Sequence, residues 1–186
     1  MEVLHMLNTK YFIVPDEKGN KSLQENPAPN GNAWFVGDIK LVNSADEEIL
    51  SLVDFDSKQT AFVNQKEFSF RLKALEGIGN TSKIQLRTYK ANELVYASES
   101  DKNQLAVFSE IYYKEGWNAY IDGELTPHLR ANYVLRALEV PAGKHRIEFK
   151  FEPTVIEKGN VVNISSWGIF LILLLGGGFL TKRSKR

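Results

Sequence analysis

Between Lys158 and Lys182 the chain runs for 23 residues without one ionisable side chain, and 161–180 reads VVNISSWGIFLILLLGGGFL. Wound as a helix, such a stretch is about 35 Å long, enough for a hydrocarbon core of about 30 Å. Nine large apolar residues fall between Ile169 and Leu180. At a few tenths of a kcal/mol each they favour insertion by roughly 3–5 kcal/mol. Trp167 sits near one end, where an indole anchors at a membrane interface. A transmembrane helix over residues 161–181 is therefore expected, with the lipid bilayer as its first partner. The chain closes on Lys182-Arg-Ser-Lys-Arg186, four cations in five residues. Short basic flanks stay cytoplasmic, so 182–186 reads as a cytoplasmic tail and residues 1–160 as a domain on the far side of the membrane.

That division explains a formal net charge of zero. Four of the 23 bases lie in the tail, so 19 remain against 23 acids and residues 1–181 carry a net −4. The external part is mildly acidic, which argues against nucleic acid as a partner. There is no cysteine, hence no disulfide framework, thiol nucleophile or cysteine-based zinc site. His5, His128 and His145 lie too far apart to form a local metal motif, so neither a metal nor a cofactor is expected. The start, Met1-Glu-Val-Leu-His-Met-Leu7, has no basic region followed by a long apolar one and does not read as a signal peptide. Moving 160 folded residues across a membrane ahead of a single span is difficult. Further transmembrane segments are therefore expected upstream, with this chain as the C-terminal end of a polytopic protein.

Residues 1–160 read as mainly β. Tyr11–Val14, Ala33–Val42, Ile84–Tyr89, Glu93–Ser98, Leu105–Tyr113, Trp117–Ile121, Tyr133–Val140 and His145–Phe151 are short apolar or alternating runs between turn signals. Asp122-Gly123 is a strong hairpin signal, because both residues tolerate positive φ. Ser44 and Glu47 form a capping box ahead of Ile49, Leu52 and Val53, which share one helical face, and together they predict a short helix. Residues 64–77 fit strand and helix equally well. The fold class expected is an antiparallel β-sandwich-like domain with one or two short helices, plus the terminal membrane helix.

No phosphate-binding glycine loop, nucleophile elbow or HExxH pattern occurs. The acids Asp46/Glu47/Glu48 and Asp54/Asp56 read as solvated surface, the first group favoured by a helix N-terminus. One stretch is denser in residues that grip sugars: Glu110, Tyr112, Tyr113, Trp117, Asp122, Arg130, Asn132 and Arg136. Aromatic faces cover the apolar side of a sugar ring, while carboxylate, amide and guanidinium groups meet its hydroxyls. Two pairing strands would set Glu110 against Arg130 or Arg136. Such pairs are also common in sheets that bind nothing, and Trp117 fits a core position as well.

Four runs, LNTKYFIV (7–14), GNAWFVGDIKLV (31–42), VFSEIYYKEGWNAYIDG (107–123) and RANYVLRALEVPAGKHRIEFKFEP (130–153), followed by a terminal apolar helix, closely resemble the C-terminal part of YfhO-type bacterial membrane proteins, in the version found in Bacteroidetes. The likeness covers nearly the whole chain in order. It implies a polytopic protein of the bacterial cytoplasmic membrane, similar to lipid-dependent (GT-C) glycosyltransferases, which moves a sugar from a polyprenyl-phosphate carrier onto an envelope glycan outside the cell. It also implies that residues 1–160 are an extracytoplasmic accessory domain beside a transmembrane bundle. The acidic catalytic residue of that enzyme class lies in an early external loop, so no catalytic residue is expected here and this chain by itself should be non-catalytic. The alternatives are a carbohydrate-binding module and a structural module, the latter with Gly176–Gly178 letting neighbouring helices approach.

Overall fold

The computed structural model describes residues 1–16, 18–66, 79 and 81–184, and of residues 157, 174 and 176–184 the backbone only. The chain divides into two compact units, Met1–Phe151 and Glu152–Arg186.

The first unit is mainly β, built on two antiparallel sheets. In one, β6 (Lys83–Lys90), β7 (Glu93–Ser100), β13 (Gly143–Phe151), β9 (Trp117–Ile121) and β10 (Glu124–Thr126) lie side by side in that order. In the other the order is β3 (Ala33–Val36), β8 (Gln104–Ile111), β12 (Leu135–Val140) and β11 (Leu129–Ala131). Alternation along the strands decides which residues fill the space between them. Phe35, Ala106, Phe108, Leu138 and Val140 from the second sheet meet Tyr96, Ala119, Ile121, Ile147 and Phe149 from the first. The rings of Tyr96, Phe108 and Phe149 pack edge to face, with centroids 4.8–6.2 Å apart.

The opposite face of the four-stranded sheet is buried too. Trp34, Val36, Leu105, Val107, Leu135 and Ala137 pack against Met6 of α1 (Glu2–Met6), Leu52, and Val42, Ala61 and Val63 of β4 (Asp38–Val42) and β5 (Thr60–Asn64). Covering both faces makes β8 a continuous buried apolar run, Leu105-Ala-Val-Phe108, with each large side chain contributing about 1.5–3 kcal/mol. A ribbon of β1 (Tyr11–Pro15) and β2 (Lys21–Glu25) completes the unit.

Several expectations change. Ala33–Val42 is two strands, broken at Gly37, where the Gly37 and Asp38 N–H groups both donate to the Gln59 carbonyl. The chain thereby leaves the four-stranded sheet and makes β4, which pairs with β5 in parallel. Neither β2 nor β5 was expected: β2 (KSLQE) is polar and wholly exposed, and β5 owes its place to the core beneath it. Of the ambiguous 64–77, residues 67–77 lie outside the described residues.

The helix α2 (Ala45–Ser51) starts as expected. The Glu47 N–H donates to Ser44 Oγ at 3.1 Å, and the Glu47 carboxylate accepts from the Asn43 N–H at 2.8 Å. Only Leu52 is buried of the three apolar residues, while Ile49 and Val53 are exposed. Glu48, one turn before Leu52, is fully buried and is not the solvated acid expected. The hairpin at Asp122-Gly123 forms as expected, with φ of 52° and 90°, and joins β9 to β10.

The second unit is one helix, α3 (Thr154–Ser184), of 31 residues. All of its described side chains are exposed, among them Ile164, Trp167, Ile169, Phe170, Leu171, Ile172, Leu173 and Leu175. Among the described residues no helix is long and apolar enough to cross a membrane.

Candidate functional site

Arg136 is the most unusual residue of the sandwich. It lies on the face of β12 that also carries Leu138 and Val140, so alternation sends it between the sheets, where it is 3% exposed. The β12–β8 register shifts between Leu135 and Arg136. Arg136 Nε donates to the Ile111 carbonyl at 3.0 Å. The guanidinium lies 4.1 Å from the centroid of the Trp117 ring and 5.3 Å from that of Phe149, within cation–π range of both. Trp117 is held in turn against Phe151, centroids 5.4 Å apart.

Three further polar groups surround this stack. Glu110, half-buried, is pushed up in pKa by burial, with the Arg136 charge pulling the other way. Tyr96, fully buried, is raised chiefly by burial and then by the Glu110 charge. His128 is lowered to about 4 by burial and by Arg136, so at neutral pH its imidazole is uncharged. The His128 ring lies 5.3 Å from Tyr112 and 5.8 Å from Phe149. Arg136 Nη1, Tyr96 OH and His128 Nε2 are buried and make no hydrogen bond among the described residues. Buried polar atoms are nearly always satisfied, so one nitrogen of the guanidinium and two atoms in the groups about it keep hydrogen-bonding capacity for a further partner.

The eight residues singled out in the sequence do not form one site. Glu110, Tyr112, Trp117 and Arg136 gather as described. Arg130 and Asn132 belong elsewhere: Arg130 Nη2 donates to Glu48 Oε2 at 3.2 Å, and Asn132 Oδ1 accepts from the Phe62 N–H at 2.8 Å. Asn132 and Tyr133 both have positive φ, 49° and 70°, and Glu48 Oε1 steadies them by accepting the Tyr133 N–H at 2.8 Å. These contacts tie the sheet to α2 and β5. Asp122 sits at the β9–β10 turn, where its carboxylate accepts from the Arg146 N–H at 2.8 Å and pairs with His145 Nδ1 at 2.6 Å. Tyr113 is exposed at 54%. Of the two cations proposed for Glu110, Arg136 stands beside it and Arg130 pairs with Glu48.

Tyr96 and His128 complete the cluster but were not singled out. Tyr96 was legible as the inward partner of Leu94 in a period of two. His128 follows Pro127 in a short irregular link with no periodic signal. Nothing in the cluster pairs a nucleophile with a base, and among the described residues no group of acids and histidines is arranged to hold a metal ion. The arrangement suits binding: a flat aromatic face, a fixed cation, and polar atoms facing inward.

The family model described as bacterial membrane protein YfhO matches residues 41–163. No curated protein and no solved structure matches the chain.

Proposed function

Because the chain belongs to the YfhO family of bacterial membrane proteins, we propose that residues 1–160 are the extracytoplasmic accessory domain of a glycosyltransferase-like membrane protein, held to the bilayer by residues 161–181 and binding envelope glycan at the Arg136 cluster. The observation that carries this reading is the buried Arg136 guanidinium stacked on Trp117, with Glu110 beside it and three buried polar atoms lacking partners. A sugar ring offers an apolar face to an indole and hydroxyls to a guanidinium and a carboxylate. Sugar transfer from the polyprenyl-linked donor is assigned to a transmembrane bundle of the same family, against which 161–181 packs. The domain's part is to hold glycan near that reaction.

Exposed apolar side chains along α3 support the membrane part of the reading. In water, so long an uncovered apolar surface would associate, whereas in a bilayer it is solvated by lipid.

The test titrates envelope oligosaccharides into the full chain in detergent and follows tryptophan fluorescence, alongside an assay for sugar release from a polyprenyl-phosphate donor. The expected result is saturable binding, weakened at least about tenfold in Trp117→Phe or Arg136→Lys by losing one stacked or charged contact, and no turnover. Turnover by this chain, or binding indifferent to both substitutions, would contradict the proposal.

A further inference from the structure

On the outer face of the five-stranded sheet, away from the Arg136 cluster, lies an open groove of about 550 Å³. Its lining includes four cations, Lys83, Arg87, Lys144 and Arg146, against two acids, Glu99 and Asp122. This is a local positive excess on a part of the chain whose sequence carries more acids than bases.

The register sets the shape of the groove. Lys83 and Lys144 both face Glu99 across β7, and Arg146 and Gln85 both face Ala97. The outer strands β6 and β13 thus raise long side chains on either side of the central β7, where Ala97 leaves a low floor. Two strand spacings make the trough about 10 Å wide, and the four steps from Lys83 to Arg87 give it a length of about 13 Å.

The cations differ in how they are matched. Lys144 Nζ is 3.4 Å from Glu99, and Arg146 Nη2 is 3.1 Å from Glu148. Lys83 and Arg87 make no ion pair among the described residues, and both are exposed. Charges on an edge strand such as β6 protect it from pairing with other chains. That role does not account for the matching cations on β13, an inner strand, facing the same trough. At one end His145 is bonded to Asp122 and to the Ala142 carbonyl, and these bonds outweigh its partial burial to raise its pKa.

We infer that this trough is a binding site for an extended polyanion, a linear chain bearing phosphate or carboxylate groups that lies along the strands between β6 and β13. A single small anion needs donors converging on one point. Here the cations are spread along two walls, with Ala97 in the floor and one carboxylate, Glu99, at the end where Lys144 pairs with it, which leaves Lys83, Arg87 and Arg146 spaced to meet successive anionic groups on a chain. A recessed trough between two strands is also a poor fit to a flat lipid surface. The inference does not depend on glycan binding at Arg136, because the two sites lie on opposite faces of the five-stranded sheet.

The experiment uses the full chain in neutral detergent micelles and titrates linear polyphosphate, with inorganic phosphate and phosphatidylglycerol-containing vesicles as parallel probes. Polyphosphate should bind at low salt far more tightly than inorganic phosphate, with affinity falling as salt rises. Lys83→Gln with Arg87→Gln should weaken it about tenfold, as expected for two exposed charge contacts, and flatten the salt dependence. Lys58→Gln with Lys114→Gln, exposed positions outside the trough, should leave it unchanged. Absence of polyphosphate binding would overturn the inference. So would equal binding by the two double variants, or a loss confined to the vesicle arm, which would make the groove a lipid-facing surface instead.

Discussion

Glu48 shows how little a single position reveals until its partners are known. In sequence it is the third acid of a run at a helix start, where a solvated carboxylate is the ordinary outcome. In the fold it is fully buried, paired with Arg130 and accepting the N–H of Tyr133, a residue of positive φ. The clue was the spacing: Glu48 and Leu52 are four apart and share one helical face. The apolar neighbours Ile49 and Val53, which share a face with Leu52 by spacing, stay exposed instead. Glu48→Ala should destabilise the domain by about 3 kcal/mol, because it removes the carboxylate that pairs with Arg130 Nη2 and accepts the Tyr133 N–H. Chemical denaturation would measure this, and a loss below about 1 kcal/mol would show that the Tyr133 turn does not depend on Glu48.

His128 makes a second prediction at this scale. Its pKa is lowered to about 4 in the fold by burial and by Arg136, against about 6.5 for an unperturbed histidine. The unfolded chain therefore takes up this proton first as pH falls. The resulting stability is complete above pH 6.5 and is lost on acidification toward pH 4. Between pH 7 and 4.5 the wild type should lose roughly 2 kcal/mol more than His128→Asn. Parallel pH dependence in the two proteins would place His128 in contact with solvent.

At the scale of elements, local chemistry was legible wherever it decided the outcome. Ser44 and Glu47 start α2, Asp122-Gly123 turns β9 into β10, and alternation through Ile147, Phe149 and Phe151 sets the inward face of β13. It was not legible where long-range pairing decided. β2 is polar except for the exposed Leu23 and is a strand because β1 pairs with it, and β5 is placed by β4 and the core. The break at Gly37 follows the same rule, since the Gln59 carbonyl that receives it is 22 residues away in sequence. The candidate site divides similarly: the Trp117–Arg136 pair came from composition, while Arg130 and Asn132 were absorbed by contacts to α2 and β5. Gly123 tests the hairpin. It has φ of 90° with open space where a Cβ would go, so Gly123→Ala should cost about 1 kcal/mol through backbone strain alone. A neutral thermal shift would mean that the turn relaxes into another type.

For the whole molecule, a β domain and an apolar helix divide the chain at Phe151, and charge divides it again, with four of its cations gathered in the last five residues. Both divisions agree with membership of a bacterial membrane-protein family. The function proposed above requires an extracytoplasmic domain tethered by 161–181, with the tail inside the cell. The absence of cysteine makes this directly measurable. Single variants Glu124→Cys, on the exposed β10, and Lys185→Cys, in the tail, would be treated with a membrane-impermeant maleimide in cells with a permeable outer layer and an intact cytoplasmic membrane. The account predicts labelling of Glu124→Cys at once, and of Lys185→Cys only after the cytoplasmic membrane is opened. The reverse pattern, or a chain released from washed membranes with both sites labelled, would contradict it.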